Sequence, residues 1–489
     1  MRIIIRTFIF IIIGIQFAWA APTVKISQGK ILGLWAFLNS ISNGQRASEI
    51  INNIYINSSF NNKNNQQQIK RLIDIRDLHF NQRYSFRDYP KKRGEMSWDV
   101  DQFFTLQAAK SKSVDDFFGR TTQILPPFEH RELFKIIKNF ESVYLKLIWT
   151  PSKGKLKKYQ EKLEAISKKS NLPNLFGKAI KFYNSHWPDS LPINVVVYPI
   201  PGKKGRTSAT MVSDTAPLEV LLDEKDIVGR FGVVFHEISH GIYESQPKSF
   251  QKMINDFFKD SKSKFSNFTY SILNEGLATA IGNGWAYEKI SGSVDKSDWY
   301  AKQDINLFAK GIYPEVKSYL KNNKSIDKEF LKYCIKKYEE IFPKAHFSYY
   351  NLLGNVWLGT DSNFDAGEAG FQLRNYFRVG GMQRSSPIEH KFTIRSFERS
   401  QKSDNAVIVV FKDKKEFKWF SEKVDALKPY SKKIMEFKKS GLFTFFDKRK
   451  KPFLIFKVNN FDEFRTILKR LQKIQFMKES SNYISISDQ

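Results

Sequence analysis

The amino-acid sequence predicts an α+β protein that is predominantly helical, and three observations support this fold class. Helical spacing of apolar residues dominates from residue 114 to 187 and again from 285 to 380. Between residues 193 and 222, short apolar runs rich in β-branched residues are typical of strands. Past residue 403, short strand patterns alternate with helical ones, which predicts a small α+β domain at the C-terminus.

The N-terminal segment predicts export. Arg2 and Arg6 precede an almost wholly apolar run, Thr7–Phe17, and the small-residue motif Ala18-Trp19-Ala20 follows it. This order is typical of a cleaved secretory signal peptide, residues 1–20. A membrane anchor is the alternative, but the run is short for a span of ~20 residues. We therefore expect a periplasmic or secreted chain with no transmembrane span after cleavage.

Composition divides the rest of the chain into three predicted regions. They are a helical N-terminal region (21–190), a central region (191–400) and a basic α+β domain (401–489). The polar segment 58–71 is predicted to be a linker or surface loop because it is low in complexity. The alternative for the last region is that it completes the central one rather than standing apart.

Charge and cysteine content limit the partners and the chemistry. The formal net charge is +29, which suits an anionic envelope surface as a partner, although the lysines are scattered and also fit a general compositional bias. No nucleic-acid recognition module is present, so nucleic-acid binding is not predicted. Cys334 is the only cysteine, which excludes an intramolecular disulfide and a site built from several thiolates.

In the central region, strand patterns precede an amphipathic helix. Three predicted strands come first, at residues 193–201, 208–213 and 218–222. The helix is predicted over Asp226–Gln246, with Asp226 as its N-cap and Pro247 after its end.

This helix carries the motif His236-Glu237-Ile238-Ser239-His240. Two histidines four residues apart lie on one face of a helix, one turn apart. Their imidazoles can then share one metal ion, and the glutamate between them faces the open side of that ion. The alternative is a pair of hydrogen-bonded histidines on a partly buried helix, with no metal.

Glu275 is the predicted third ligand. It lies in an apolar stretch that predicts a second helix ending at Gly282-Asn283-Gly284. A lone glutamate there carries a desolvation cost unless it pairs or binds a metal, and a buried structural carboxylate is the alternative. Glu244 continues the face of His236 and His240, but it lies a turn too far along the same helix. Three protein ligands leave a fourth position for water, as in catalytic zinc sites.

The segments His236-Glu237-Ile238-Ser239-His240 and Asn274-Glu275-Gly276-Leu277-Ala278 together resemble the gluzincin metallopeptidases, the clan of thermolysin-like and aminopeptidase-N-like enzymes. The resemblance covers residues 190–285. Between the second histidine and the glutamate stand 34 residues, more than is common in those two families. Thr279 stands where thermolysin-like enzymes carry an aspartate that orients a ligand histidine. The resemblance therefore points to the clan and to no family within it.

The resemblance implies that the region 191–400 is a zinc metallopeptidase catalytic domain, with a small sheet before the motif helix and the glutamate helix. Zinc held by His236, His240 and Glu275 would lower the pKa of a bound water from ~15.7 toward ~7. Glu237 would act as general base on that water and pass the proton to the leaving amine. The substrate would be a peptide or a protein.

A further donor for the developing oxyanion is also implied by the clan, as a downstream tyrosine or histidine. The segment His346-Phe347-Ser348-Tyr349-Tyr350 offers Tyr350 first and His346 second. A buried aromatic turn is the alternative for this segment. For the whole protein, the alternative to an exported zinc metallopeptidase is a catalytically inactive gluzincin-like protein that acts as a basic envelope-binding or scaffold module.

Overall fold

The computed structural model describes residues 22–44, 47–80, 82–86, 96–188, 190–202, 207, 209–400 and 406–486. The predicted signal peptide lies outside the described residues. The fold is α+β and mostly helical, as predicted. No helix within the described ranges is both long enough and apolar enough to cross a membrane.

The chain forms two units. The first comprises Met1–Ser261 and Thr269–Lys337, and the second comprises Lys262–Phe268 and Tyr338–Gln489. The second unit therefore includes residues well before position 401, where the sequence predicts the start of the C-terminal domain.

The first unit begins with helices around a small sheet. Its elements as far as β5 are β1 (Val24–Gln28), α1 (Lys30–Ile41), α2 (Glu49–Ile56), α3 (Lys63–His79), β2 (Arg83–Phe86), β3 (Met96–Asp99), α4 (Val100–Lys110), α5 (Val114–Arg120), α6 (Pro127–Tyr144), a π-helical turn (Leu145–Trp149), α7 (Thr150–Lys169), α8 (Leu172–Phe182), β4 (Ile193–Ile200) and β5 (Thr215–Leu221).

The helix α3 overturns the prediction of a linker over residues 58–71. The Asn62 side chain accepts a hydrogen bond from the Asn65 backbone N–H and so caps the helix. Ile69, Leu72 and Ile75 are buried at helical spacing. These three side chains belong to the apolar core of the first unit, although polar residues surround them in the sequence.

Three parallel strands form the sheet of this unit, in the order β1-β4-β5. The strand predicted at 193–201 is confirmed, and the strand predicted at 218–222 begins earlier, at Thr215. The segment predicted as a strand at 208–213 makes only two isolated antiparallel bridges within its described residues, Ala209 to Leu218 and Val212 to Thr215. An apolar core joins α1, α4 and α6 to the inner face of this sheet.

The remaining helices follow the sheet directly. They are α9 (Ile227–Glu244), α10 (Lys248–Asp260), α11 (Ser266–Thr279), a π-helical segment (Ala280–Ala286), α12 (Tyr287–Ser291), α13 (Gln303–Lys321) and α14 (Lys328–Ile341). The order of sheet, motif helix and glutamate helix is the predicted one.

The second unit is built on a six-stranded sheet. Its elements are a 3₁₀ turn (Ala345–Phe347), α15 (Tyr349–Leu352), β6 (Asn355–Thr360), α16 (Ala366–Tyr376), β7 (Gly381–Ser385), α17 (Lys391–Ser400), β8 (Ala406–Phe411), α18 (Lys414–Lys423), α19 (Ser431–Glu436), β9 (Gly441–Phe446), β10 (Pro452–Lys457), α20 (Phe461–Ile474) and β11 (Asn482–Ser485).

The strand order is β11-β9-β10-β8-β6-β7, and the four strands from β10 to β7 are parallel. Alternate residues of β8 enter two separate cores, one on each face of the sheet. One core also contains side chains of α16 and α20, and the other contains side chains of α17 and α18. Both faces of a parallel sheet are covered in this way because crossover helices lie on each side.

Candidate metal centre

The helix α9 presents both motif histidines from a firmly capped N-terminus. The Asp226 carboxylate accepts a hydrogen bond of 2.8 Å from the Gly229 backbone N–H, as predicted for the N-cap. One turn on, the Arg230 guanidinium donates two hydrogen bonds to the Glu224 carboxylate, at 2.8 and 3.0 Å. Such a bidentate pair holds the start of the helix against the loop that precedes it.

The helix α11 carries Glu275, and its predicted end at Gly282-Asn283-Gly284 is wrong. The chain stays helical through the π-helical segment Ala280–Ala286 and into α12. Gly282 lies against α9: a Cβ atom there would be 2.5 Å from the His236 backbone nitrogen and 2.6 Å from the Gly232 carbonyl oxygen. The absence of a side chain at position 282 therefore lets the two helices approach each other beside the motif.

The side chains of His236, His240 and Glu275 converge on one point. The Nε2 atoms of the two histidines are 3.1 Å apart. Glu275 Oε2 lies 3.5 Å from His236 Nε2 and 3.7 Å from His240 Nε2. Glu275 Oε2 is buried and has no hydrogen-bond partner within the described part of the chain. Among the described residues, these three side chains form the group that could hold a metal ion.

Both imidazoles have a partner on the nitrogen that faces away from this point. His240 Nδ1 lies 3.1 Å from Asn274 Oδ1, and His236 Nδ1 lies 3.4 Å from Thr279 Oγ1. When the amide oxygen of Asn274 accepts a hydrogen bond from the Nδ1–H group of His240, the lone pair of His240 Nε2 is directed at Glu275. Thr279 lies where it can orient His236 in the same way.

Burial and neighbouring charges shift the pKa values of His240 and Glu275. Burial lowers the pKa of His240 to about 4, and the neighbouring His236 adds to this effect while Glu275 and Asn274 oppose it. Burial raises the pKa of Glu275, but its interactions with both histidines and a hydrogen bond from Tyr300 outweigh burial and lower it to about 2. At neutral pH the centre therefore contains a neutral imidazole of His240 beside a carboxylate.

The helix α9 itself contains two glutamates, Glu237 and Glu244, which differ in their positions. Glu237 lies between the two histidines in sequence and is half-buried. Glu244 is the last residue of α9, one turn beyond His240, and it does not belong to the metal-ligand group. The structure thus agrees with the sequence argument that Glu275, rather than Glu244, joins the two histidines.

Tyr300 contacts the centre and was missed by the sequence analysis. Its ring stacks on the His236 imidazole with 5.7 Å between centroids, and its side chain hydrogen-bonds to Glu275. The apolar pattern predicts a helix from Trp299, but α13 begins only at Gln303, so Tyr300 lies in irregular chain. No local pattern marks such a residue, because 24 residues separate it from Glu275 in the sequence and only tertiary packing brings the two together.

The two candidates for an oxyanion donor, His346 and Tyr350, both belong to the second unit. The His346 ring packs on Phe347 and Phe265, and burial lowers its pKa. Tyr350 is 43% exposed and packs edge-on against Phe377. Both rings have aromatic neighbours, but the exposed Tyr350 does not fit the alternative of a buried aromatic turn, and a role for either residue in catalysis stays a prediction.

Comparison with known proteins adds no relative to this picture. No family model matches the chain, no curated protein matches its sequence, and no solved structure matches its fold.

Proposed function

We propose that the protein is an exported zinc metallopeptidase of the gluzincin type, with His236, His240 and Glu275 as metal ligands. The observation that carries the proposal is the convergence of two imidazole nitrogens with a buried carboxylate oxygen that has no hydrogen-bond partner in the described chain. A buried carboxylate oxygen without a partner costs free energy unless a cation satisfies it.

The spacing of the three ligand atoms suits zinc. A tetrahedral ion with ligands at 2.0–2.1 Å requires neighbouring ligand atoms to lie about 3.3 Å apart. The three separations here are 3.1, 3.5 and 3.7 Å. Two nitrogen ligands and one carboxylate oxygen are also the donor set of several catalytic zinc sites, which keep the fourth position open.

The protons of the two histidines support the same conclusion. When Asn274 and Thr279 accept from the Nδ1 atoms, both Nε2 atoms present lone pairs to each other and to the carboxylate. In this tautomer a cation between the three atoms is bound by three electron-pair donors, in place of the hydrogen bond that His236 otherwise donates to Glu275. The surrounding residues thus prepare both imidazoles for metal binding.

The remaining chemistry is assigned to Glu237. When zinc is bound, it supplies Lewis acidity toward water and a carbonyl group. The Glu237 carboxylate is the general base in this proposal, since it follows His236 directly and lies on the same turn of α9 as the ligands. Asn274 and Thr279 orient the imidazoles, and the buried underside of α9 keeps the two ligands in place.

The decisive experiment measures zinc content and peptide hydrolysis on the purified chain from residue 21 onward. We expect one zinc per chain and cleavage of a mixed peptide library. Glu237→Gln is expected to keep the zinc and to lose about a hundredfold to ten-thousandfold in rate, as general-base variants do. Glu244→Gln is the matched control because it changes a glutamate of the same helix outside the ligand group, and it should keep both properties.

Two outcomes would count against the proposal. Absence of zinc in the purified wild-type chain, with no uptake on addition, would remove the metal site. Zinc binding without hydrolysis of any peptide would favour the alternative of an inactive gluzincin-like scaffold, for which the net charge of +29 suits an anionic envelope surface.

A further inference from the structure

We propose that Tyr300 is a positioning residue for the metal ligand Glu275, supplied by the irregular segment between α12 and α13. This inference rests on the proposed metal site. It assigns to the segment 292–302 the task of orienting the carboxylate ligand from outside both ligand-bearing helices.

The segment is anchored at Trp299, the residue before Tyr300. The Trp299 backbone N–H donates to Asn306 Oδ1 at 2.8 Å, and its indole N–H donates to the Asp295 carbonyl oxygen at 2.9 Å. Asn306 lies on α13, is buried, and donates to Asp298 Oδ1 at 2.8 Å. These bonds fix the backbone on both sides of Trp299 although it belongs to no helix or strand.

The anchored residue also packs against the helical stretch that carries Glu275. The Trp299 ring meets Tyr313 edge-on, with 5.2 Å between centroids. A Cβ atom at Gly284 would lie 2.8 Å from the same ring, so the indole lies directly on the backbone of the π-helical segment. Gly284 follows Glu275 in one continuous helical stretch. The segment 292–302 therefore packs on the same helical stretch that carries Glu275.

Tyr300 projects from this anchor onto two of the three ligands. Its ring lies nearly parallel to the His236 imidazole, at an angle of 24°. Its side chain hydrogen-bonds to Glu275. A single side chain therefore covers one ligand and orients another.

The physical consequence is a carboxylate held in its ligating orientation before the metal arrives. An unrestrained glutamate has several rotamers and loses that freedom when it binds a metal. A hydrogen bond to the carboxylate reduces this loss, and removal of such outer partners typically weakens metal binding about 10–100-fold.

The test compares two phenol deletions, Tyr300→Phe and Tyr313→Phe. Both tyrosines hydrogen-bond to a glutamate, but the partner of Tyr313 is Glu288, which is not a ligand. Zinc affinity is measured by competition with a chromophoric chelator. We expect Tyr300→Phe to weaken zinc binding about 10–100-fold and Tyr313→Phe to stay within about twofold of wild type.

A second measurement separates positioning from general destabilisation. Each variant is loaded with Co²⁺, whose visible absorption reports coordination geometry. The thermal unfolding midpoint of the metal-free form is measured as well. A positioning role predicts an altered Co²⁺ spectrum for Tyr300→Phe with an unchanged spectrum for Tyr313→Phe. A spectrum and affinity equal to wild type in Tyr300→Phe would overturn the inference and leave the metal site intact, whereas a wild-type chain that binds no zinc would overturn the proposed function itself.

Discussion

Asp361 in the second unit is a fully buried carboxylate, and half-buried Glu275 in the first unit has one buried carboxylate oxygen, but the surroundings of the two groups are opposite. Asp361 is fully buried and accepts hydrogen bonds from the backbone N–H groups of Lys412 and Asp413, both at 2.6 Å, and of Asn363 at 3.0 Å. Glu275 Oε2 is buried as well, but it faces two imidazole nitrogens and has no hydrogen-bond partner in the described chain.

The difference separates a structural carboxylate from the one proposed to bind a metal ion. Asp361 follows β6 and holds the end of β8 through the backbone of Lys412 and Asp413, so its charge is satisfied by the fold itself. Glu275 Oε2 has no hydrogen-bond partner in the described chain and lies 3.5 and 3.7 Å from the two imidazole nitrogens, where a metal ion would satisfy it. An unsatisfied buried group in an otherwise well-bonded fold is therefore the better guide to function.

Matched amide substitutions provide the largest expected contrast. Asp361→Asn replaces an acceptor by an N–H₂ donor beside two backbone N–H groups and is expected to cost about 3 kcal/mol of unfolding free energy. Zinc affinity should not change. In the metal-free protein, Glu275→Gln should cost less unfolding free energy than Asp361→Asn, because the Glu275 side chain is 28% exposed, and it should abolish tight zinc binding. Urea denaturation with chelator and zinc competition measure the two quantities.

The comparison breaks if the two variants behave alike. A large loss of metal-free stability in Glu275→Gln would mean that the carboxylate is structural, like that of Asp361. Unchanged zinc affinity in the same variant would remove Glu275 from the ligand set.

The second prediction concerns the close contact of α9 with the π-helical segment. Gly282→Ala adds a Cβ atom that would lie 2.5 Å from the His236 backbone nitrogen, and backbone atoms cannot rotate away. We expect a loss of about 1–3 kcal/mol in unfolding free energy, together with weaker zinc binding because His236 moves relative to Glu275.

The control for this prediction is Gly154→Ala in α7. A Cβ atom at Gly154 meets nothing within 4 Å, and the position is an exposed helix interior. There the substitution should stabilise the protein by about 0.5–1 kcal/mol through helix propensity. Equal stability changes at positions 154 and 282 would show that the contact is unimportant.

The smallest expected effect is a pH dependence of the metal-free protein. The pKa of His240 falls from 6.5 to about 4 on folding, mainly because burial disfavours its charged form. The unfolded chain thus binds more protons between these values, and stability is present above pH 6.5 and decreases as the pH falls toward 4. At pH 5.5 the expected loss is about 1 kcal/mol relative to pH 7.5.

Glu275 does not obscure this window. Its pKa falls from 4.5 to about 2 on folding, so its stabilisation is lost only below pH 4.5. Urea denaturation at several pH values, with chelator present, should therefore show a slope between pH 6.5 and 4.5 that His240→Gln reduces. If the unfolding free energy of His240→Gln changed with pH as steeply as that of the wild type, the pH dependence would come from other groups.

Local patterns predicted the parts of the centre that lie within one element. The helix α9 was predictable because Asp226 caps it, its apolar residues recur at helical spacing, and two histidines four residues apart must share a face. The strand β4 was also predictable from a local pattern, because its run of β-branched residues matches a buried strand. Glu275 was predicted from the isolation of a charge in an apolar helix, supported by the gluzincin resemblance.

The failures have a common cause. The segment 58–71 was predicted as a loop because its polar residues outnumber the few apolar ones, yet these few find a core to pack on. The helix was predicted to end at Gly282 because glycine commonly ends helices, whereas here it permits contact with α9. In each case a distant contact outweighs a local preference.

The sequence by itself predicted the α+β class, the helix α9 with its two histidines, and Glu275 as the carboxylate that lies beside them. Only the tertiary structure brought Glu275 within 3.7 Å of both imidazole nitrogens, Asn274 and Thr279 next to the Nδ1 atoms, and the Tyr300 ring onto His236. It also decided that β6 and β7 join the C-terminal strands in one sheet. Periodicity reports which face of an element is buried, but the partner of that face depends on contacts between residues far apart in the chain.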